Sequence, residues 1–166
     1  MARDIALIVK PSSGRGKAGR SLESIRDHLA SLGAAVEVLT SRSAAHATEL
    51  ASEASRRHPV VAAMGGDGMI ALVANGLLGT EATLGVVPSG SGNDFASALG
   101  FARRRPAEAC AVLAYGRTRI IDGGRIEDGP LPTATNIPSN SRAVPSSSTR
   151  NPTGRNRRSV ASTATT

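Results

Sequence analysis

Short apolar runs alternate with polar, helix-spaced stretches through the first 122 residues. Ile5-Ala6-Leu7-Ile8-Val9 is continuously apolar, the pattern of a strand buried on both faces of a parallel sheet. After a Pro/Ser/Gly turn, Leu22, Ile25, Leu29 and Leu32 recur at roughly helical spacing, and Gly33 is placed to end that helix. Val36-Glu37-Val38-Leu39 predicts a second strand. Ser43 can cap a helix running to about Arg57, and Pro59 breaks the pattern. Val60-Val61-Ala62-Ala63-Met64 predicts a third strand, Met69 to Leu78 a helix, and Thr83 to Val87 a fourth strand. A short helix is expected from Asp94, another from Pro106 to near Gly116, and a last strand over Arg119-Ile120-Ile121-Asp122.

Strands that alternate with helices imply right-handed βαβ units. The expected fold is therefore α/β, a mainly parallel sheet flanked by helices. Ligands in such sheets bind at the carboxyl ends of the strands. Two glycine-rich loops fall there, Gly65-Gly66-Asp67-Gly68 after the third strand and Pro88-Ser89-Gly90-Ser91-Gly92-Asn93 after the fourth.

Composition changes this picture mainly at the C-terminal end. Residues 129–166 hold seven Ser, seven Thr and five Pro, with Leu131, Ile137, Val144 and Val160 as the large apolar residues. Such a stretch buries too little to offset its ordering entropy, so a tail over 128–166 is expected to be disordered, after one domain over 1–127. The charge follows the same division. Residues 1–128 carry 15 Lys/Arg and 13 Asp/Glu, and the rest carry five Arg and no acid, so +2 and +5 make the net +7. A near-neutral body is no footprint for a polynucleotide, and no nucleic-acid partner is expected. With one cysteine there is no internal disulfide. No run reaches the ~18 apolar residues of a transmembrane segment, and no export signal is visible, so a cytoplasmic location is expected.

The candidate chemistry lies in the glycine loops. Glycines between a strand and a helix let backbone approach a phosphate and allow positive φ, and the helix N-terminus that follows favours an anion. Asp67 is the odd member, because a bare carboxylate repels phosphate. It makes sense with a Mg²⁺ ion between the two, as an acceptor from a hydroxyl, or simply as a helix N-cap. In the second loop Gly90 and Gly92 permit close approach, Ser91 offers a hydroxyl, and Asn93 and Asp94 can cap the next helix. No Gly-Lys-Ser/Thr occurs, so this is not a Walker loop, and without a glycine at 95 it is no dinucleotide fingerprint. His28, His46 and His58 share no metal-ligand spacing and read as surface or boundary residues. Cys110 reads as a small buried apolar group, and Arg103-Arg104-Arg105 as a solvated basic run.

The three glycine-bearing loops, in their order, resemble one family. The chain reads Lys10-Pro11-Ser12-Ser13-Gly14, then Gly65 to Met69 with Asn75-Gly76-Leu77, then Pro88-Ser89-Gly90-Ser91-Gly92-Asn93-Asp94-Phe95-Ala96, and later Ile121-Asp122-Gly123. Over roughly residues 3–127 this is similar to the diacylglycerol kinase catalytic domain, shared with bacterial lipid kinases, sphingosine kinases and ceramide kinases. The resemblance implies ATP and Mg²⁺ as cofactors and phosphoryl transfer to a lipid hydroxyl, with the lipid met at a membrane surface. It further implies a nucleotide site from Ser13, Gly14, Thr40, Gly65, Gly66, Asp67, Gly68, Met69, Gly90, Ser91, Gly92 and Asn93, in which Asp67 is the catalytic and metal-holding residue. Lys10 stands where the family has Asn, Met69 where it commonly has Thr, and Ala71-Leu72 where many members have Asn-Glu. After residue 127, where the family continues into a β-rich lipid-binding domain, the Ser/Thr/Pro/Arg tail follows. A shifted reading frame near Asp128, or a degraded gene, is the expectation from that change. An NAD kinase-like enzyme, which shares Gly-Gly-Asp-Gly, and a non-catalytic nucleotide-binding remnant are the alternative readings.

Overall fold

The computed structural model describes residues 3–11, 17–100, 106–123 and 160–165. The chain runs β1 (Asp4–Val9), α1 (Lys17–Ser31), β2 (Ala35–Thr40), α2 (Ala44–Ala54), β3 (Val60–Gly65) and α3 (Asp67–Leu77). It continues with β4 (Thr83–Pro88), α4 (Asp94–Ala98), α5 (Pro106–Tyr115), β5 (Thr118–Gly123) and β6 (Val160–Thr165). Each element expected over the first 122 residues is present, with ends shifted by a few residues. Gly33, at φ 77°, closes α1, and Ser43 caps α2 by accepting from the His46 N–H at 3.1 Å.

The continuous apolar strands feed two cores because successive side chains point to opposite faces. Ala6 and Ile8 of β1, Val61 and Ala63 of β3, and Leu84 and Val86 of β4 pack under α2 and α3. Ile5, Leu7, Val9, Val60, Ala62 and Met64 face α1 and α5 instead. Small residues set how closely the layers approach. A Cβ on Gly85 would lie 2.4 Å from Leu113 Cδ2, so α5 rests directly on β4. A Cβ on Gly76 would lie 2.3 Å from the Thr48 carbonyl oxygen, so α3 and α2 touch through backbone.

The sheet order is β2-β1-β3-β4-β6-β5. The first four strands run parallel, β6 runs parallel to β4, and β5 is antiparallel to β6. The chain moves from β1 outward to β2, then crosses to β3 on the other flank of β1. That reversal places a switch point between β1 and β3, where open α/β sheets leave a crevice at the carboxyl edge. The register brings the strand ends level: Val9 pairs with Thr40 and Met64, and Gly65 with Pro88.

Within the tail expected to be disordered, residues 160–165 are described as β6 between β4 and β5, joined to β4 at Thr83–Thr163 and Leu84–Ala164 and to β5 along its length. Val160, Thr163 and Thr165 are β-branched, which suits a strand even among small neighbours. The remainder of the expected disordered tail lies outside the described residues. His58, expected at the surface or a boundary, lies just before β3 and is 9% exposed. Its Nδ1 sits 2.9 Å from Asp4 Oδ1 and its Nε2 2.6 Å from Glu37 Oε2, and Arg57 reaches the same Glu37 oxygen at 3.3 Å. Burial is possible because both ring nitrogens have partners. This cluster occupies the amino edge of the sheet, away from the glycine loops.

Candidate functional site

The two glycine loops lie side by side because β3 and β4 are neighbours and end in register. Ser89 N–H donates to the Gly65 carbonyl at 2.9 Å, continuing the ladder past the strand ends. Beyond that bond the chains meet backbone to backbone. A Cβ on Gly90 would lie 2.4 Å from Gly66 Cα, and one on Gly66 would lie 3.2 Å from Gly90 Cα. Close approach is thus what requires glycine at these two positions. Positive φ is not, since among the described glycines it occurs at Gly33, Gly79 and Gly100.

Helix α3 starts immediately at Asp67, with Gly66 as its N-cap and no side-chain cap. Its first recorded bonds are from the Met69 and Ile70 N–H groups to the Gly66 carbonyl, at 2.9 and 3.1 Å. The N–H groups of Asp67 and Gly68 precede these bonds, as at any helix start, and point beyond the helix end. With the helix dipole they make the edge favourable to an anion.

Asp67 is used differently from the simple N-cap reading. Its carboxylate leaves α3 and accepts from the N-terminus of α4, with Phe95 N–H at 2.9 Å on Oδ1 and Asp94 N–H at 3.1 Å on Oδ2. It therefore clasps one glycine loop to the other. Asn93, expected to cap α4, holds its N-cap position, and its carbonyl accepts from the Ser97 N–H at 2.9 Å, but its side chain makes no capping bond. Its side chain turns back on Gly90, accepting from the Gly90 N–H and donating to the Gly90 carbonyl, both at 2.9 Å. That fold-back needs the left-handed backbone at Asn93, φ 64°, which asparagine tolerates better than most residues.

The remaining expected site residues divide. Ser91 and Gly92 are exposed on the loop, and Gly90 is half-buried beside Gly66. Met69, expected at the nucleotide site, is 7% exposed and belongs to the core, where its side chain packs beside Gly65. Its side chain faces inward because α3 presents that side to the sheet. Thr40 is exposed at the same carboxyl edge, but β1 stands between it and Gly65, roughly 10 Å across two strand spacings. Lys10 is exposed just past β1. Ser13 and Gly14 lie outside the described residues, as does the Arg103–Arg105 run.

The carboxylates of Asp67 and Asp94 border one point. A Cβ on Gly92 would lie 3.3 Å from Asp67 Oδ2 and 4.0 Å from Asp94 Oδ1. Each carboxylate oxygen has lone pairs left after one hydrogen bond. Hard oxygen donors of this kind suit Mg²⁺, which commonly takes one or two carboxylates and completes its shell with water and phosphate. Among the described residues no group of three or more His, Cys, Asp or Glu is placed to hold a metal. Two carboxylates alone would need phosphate and water oxygens to complete such a shell.

Two features of the site escaped the sequence reading. One is the apposition of Gly66 and Gly90, whose signal is a glycine one or two residues past each of two strand ends. The other is the clasp by Asp67, for which the sequence carries no local signal because its partners are 27 and 28 residues away.

The profile of the diacylglycerol kinase catalytic domain matches residues 4–126. A diacylglycerol kinase of Bacillus subtilis is 37% identical over 123 residues, and one of Mycobacterium tuberculosis is 31% identical over 125. These alignments take in 72% and 75% of this chain, which spans about 41% and 40% of the two relatives' lengths. A solved structure of a diacylglycerol kinase from Bacillus anthracis superposes with a TM-score of 0.64 at 28% identity, covering 73% of this chain and 45% of that one. With its parallel sheet, its paired glycine loops and a profile match across both, this chain belongs to the diacylglycerol kinase catalytic domain family.

Proposed function

We propose that this chain is the nucleotide-binding part of an ATP-dependent lipid kinase. The observation that carries the reading is the apposition of the two glycine loops at the carboxyl ends of adjacent parallel strands, beside the N-terminus of α3. The backbones of Gly65, Gly66, Gly68, Gly90 and Gly92 admit phosphates closely. Ser91 offers a hydroxyl, and Thr40 with Ser13 and Gly14 serves the rest of the nucleotide. The free N–H groups at the start of α3 stabilise the anionic charge. Asp67, with Asp94 beside it, would hold Mg²⁺, which when bound supplies charge neutralisation at the transferring phosphoryl group. Catalysis of this type consists mainly of positioning and electrostatic stabilisation, so the work of these residues is to orient the phosphates. Asp67 also fixes the second loop, and its catalytic contribution is inseparable from that clasp.

The acceptor in this reading is a lipid hydroxyl presented at a membrane surface, reached by a protein working in the cytoplasm. None of the described helices is long and apolar enough to cross a membrane. Transfer of labelled phosphate from Mg-ATP to diacylglycerol in mixed micelles tests the reading, with NAD as the competing acceptor. Label in the lipid supports it. Label in NAD supports the NAD kinase-like reading, and nucleotide binding without transfer to either makes this chain a binding module.

A further inference from the structure

Among the described residues, Ser89 Oγ is the buried side-chain polar atom that lacks a hydrogen-bond partner. The residue itself is well fixed, since its N–H is bonded to the Gly65 carbonyl at 2.9 Å. A shielded hydroxyl without a partner has given up water and gained nothing, so alanine would serve the free protein better. The polar side chains of the neighbouring loop and helix start do not bond it. The Asn93 amide bonds both backbone groups of Gly90, and the Asp67 carboxylate bonds the N–H groups of Asp94 and Phe95.

We propose that Ser89 is a further ligand-contacting residue, its hydroxyl donating to a nucleotide phosphoryl oxygen that enters between the two glycine loops. The inference rests on the nucleotide-site reading above. Those loops meet through the bare Cα atoms of Gly66 and Gly90, with no side chains interlocked between these two residues. Ser89 directly precedes Gly90, at the edge of that backbone contact. An O–H beside an anionic oxygen forms a charge-assisted bond, stronger than a neutral one. The partner missing in the free protein then arrives with the ligand.

The test is calorimetric titration of the full 166-residue chain and its Ser89→Ala variant with Mg-ATP, together with thermal melts of both free proteins. The variant is expected to melt at the same temperature or higher and to bind Mg-ATP about tenfold more weakly. Equal affinity in the two proteins overturns the inference and leaves the nucleotide site standing. A variant that melts several degrees lower also overturns it, because the hydroxyl is then bonded inside the fold. Failure of the unaltered chain to bind Mg-ATP removes the nucleotide reading, and this inference with it.

Discussion

Single residues decide how the two loops sit. Gly90→Ala puts a methyl group 2.4 Å from a backbone atom that cannot rotate away. The loops must part, at a cost of about 1–3 kcal/mol. Mg-ATP affinity should fall by more than about tenfold in the same titration, one tenfold step being about 1.4 kcal/mol. Asp67→Asn tests the clasp from the other side. An amide has a single acceptor oxygen, so one of the two α4 N–H groups loses its partner. A loss of about 1 kcal/mol, in the range of a removed helix cap, should appear in chemical denaturation. Cys110 gives a pH signature. Burial against α1 pushes its thiol up to about 11, while an unfolded cysteine ionises near about 8.5. The folded protein holds the proton longer, so this contribution is fully present below about pH 8.5 and is lost as pH rises toward 11. Stability should drop between those values by up to about 1.4 kcal/mol per pH unit, and Cys110→Ala should flatten that drop. An unchanged slope in the variant would assign the alkaline loss to other groups.

At the scale of elements, the contact between α2 and α3 shows how a helix propensity rule is overridden. Gly76→Ala gains about 1 kcal/mol of intrinsic helix preference. The new Cβ, however, would sit 2.3 Å from the Thr48 carbonyl oxygen and 2.7 Å from Ala51 Cβ. Forcing those helices apart costs about 1–3 kcal/mol or more, so the variant should be less stable by urea titration. The elements themselves were legible in the sequence. Apolar runs such as Ile5–Val9 and Val60–Met64 carry the strand signal, and Gly33 and Ser43 mark helix ends through local backbone and capping chemistry. The site was legible only as far as its loops. Gly65–Gly68 and Pro88–Asn93 were recognisable as close-approach loops at strand ends. The fold-back of Asn93, the inward turn of Met69 and the reach of Asp67 depend on neighbours that become adjacent only after the sheet forms.

For the molecule as a whole, the order of strands sets what is near the site and what is not. The His58 cluster binds β1, β2 and the approach to β3 at the amino edge, while every described candidate residue lies at the carboxyl edge. Strand β5 joins the sheet through β6, which lies between it and β4. A chain lacking residues 160–165 should therefore lose amide protection over 118–123 in hydrogen exchange, while β1 and β3 keep theirs. Protection that persists in β5 would mean that β6 does not hold it.

The sequence by itself determined the α/β alternation, the two-faced strands and the position of the glycine loops at strand ends, because these follow from side-chain period and local backbone chemistry. Only the tertiary structure decided that Gly66 and Gly90 would touch, that Asp67 would serve α4 as well as begin α3, and that Ser89 would keep a hydroxyl without a partner. Each of these depends on β3 and β4 becoming neighbours in register, a pairing between segments some twenty residues apart that no local pattern encodes.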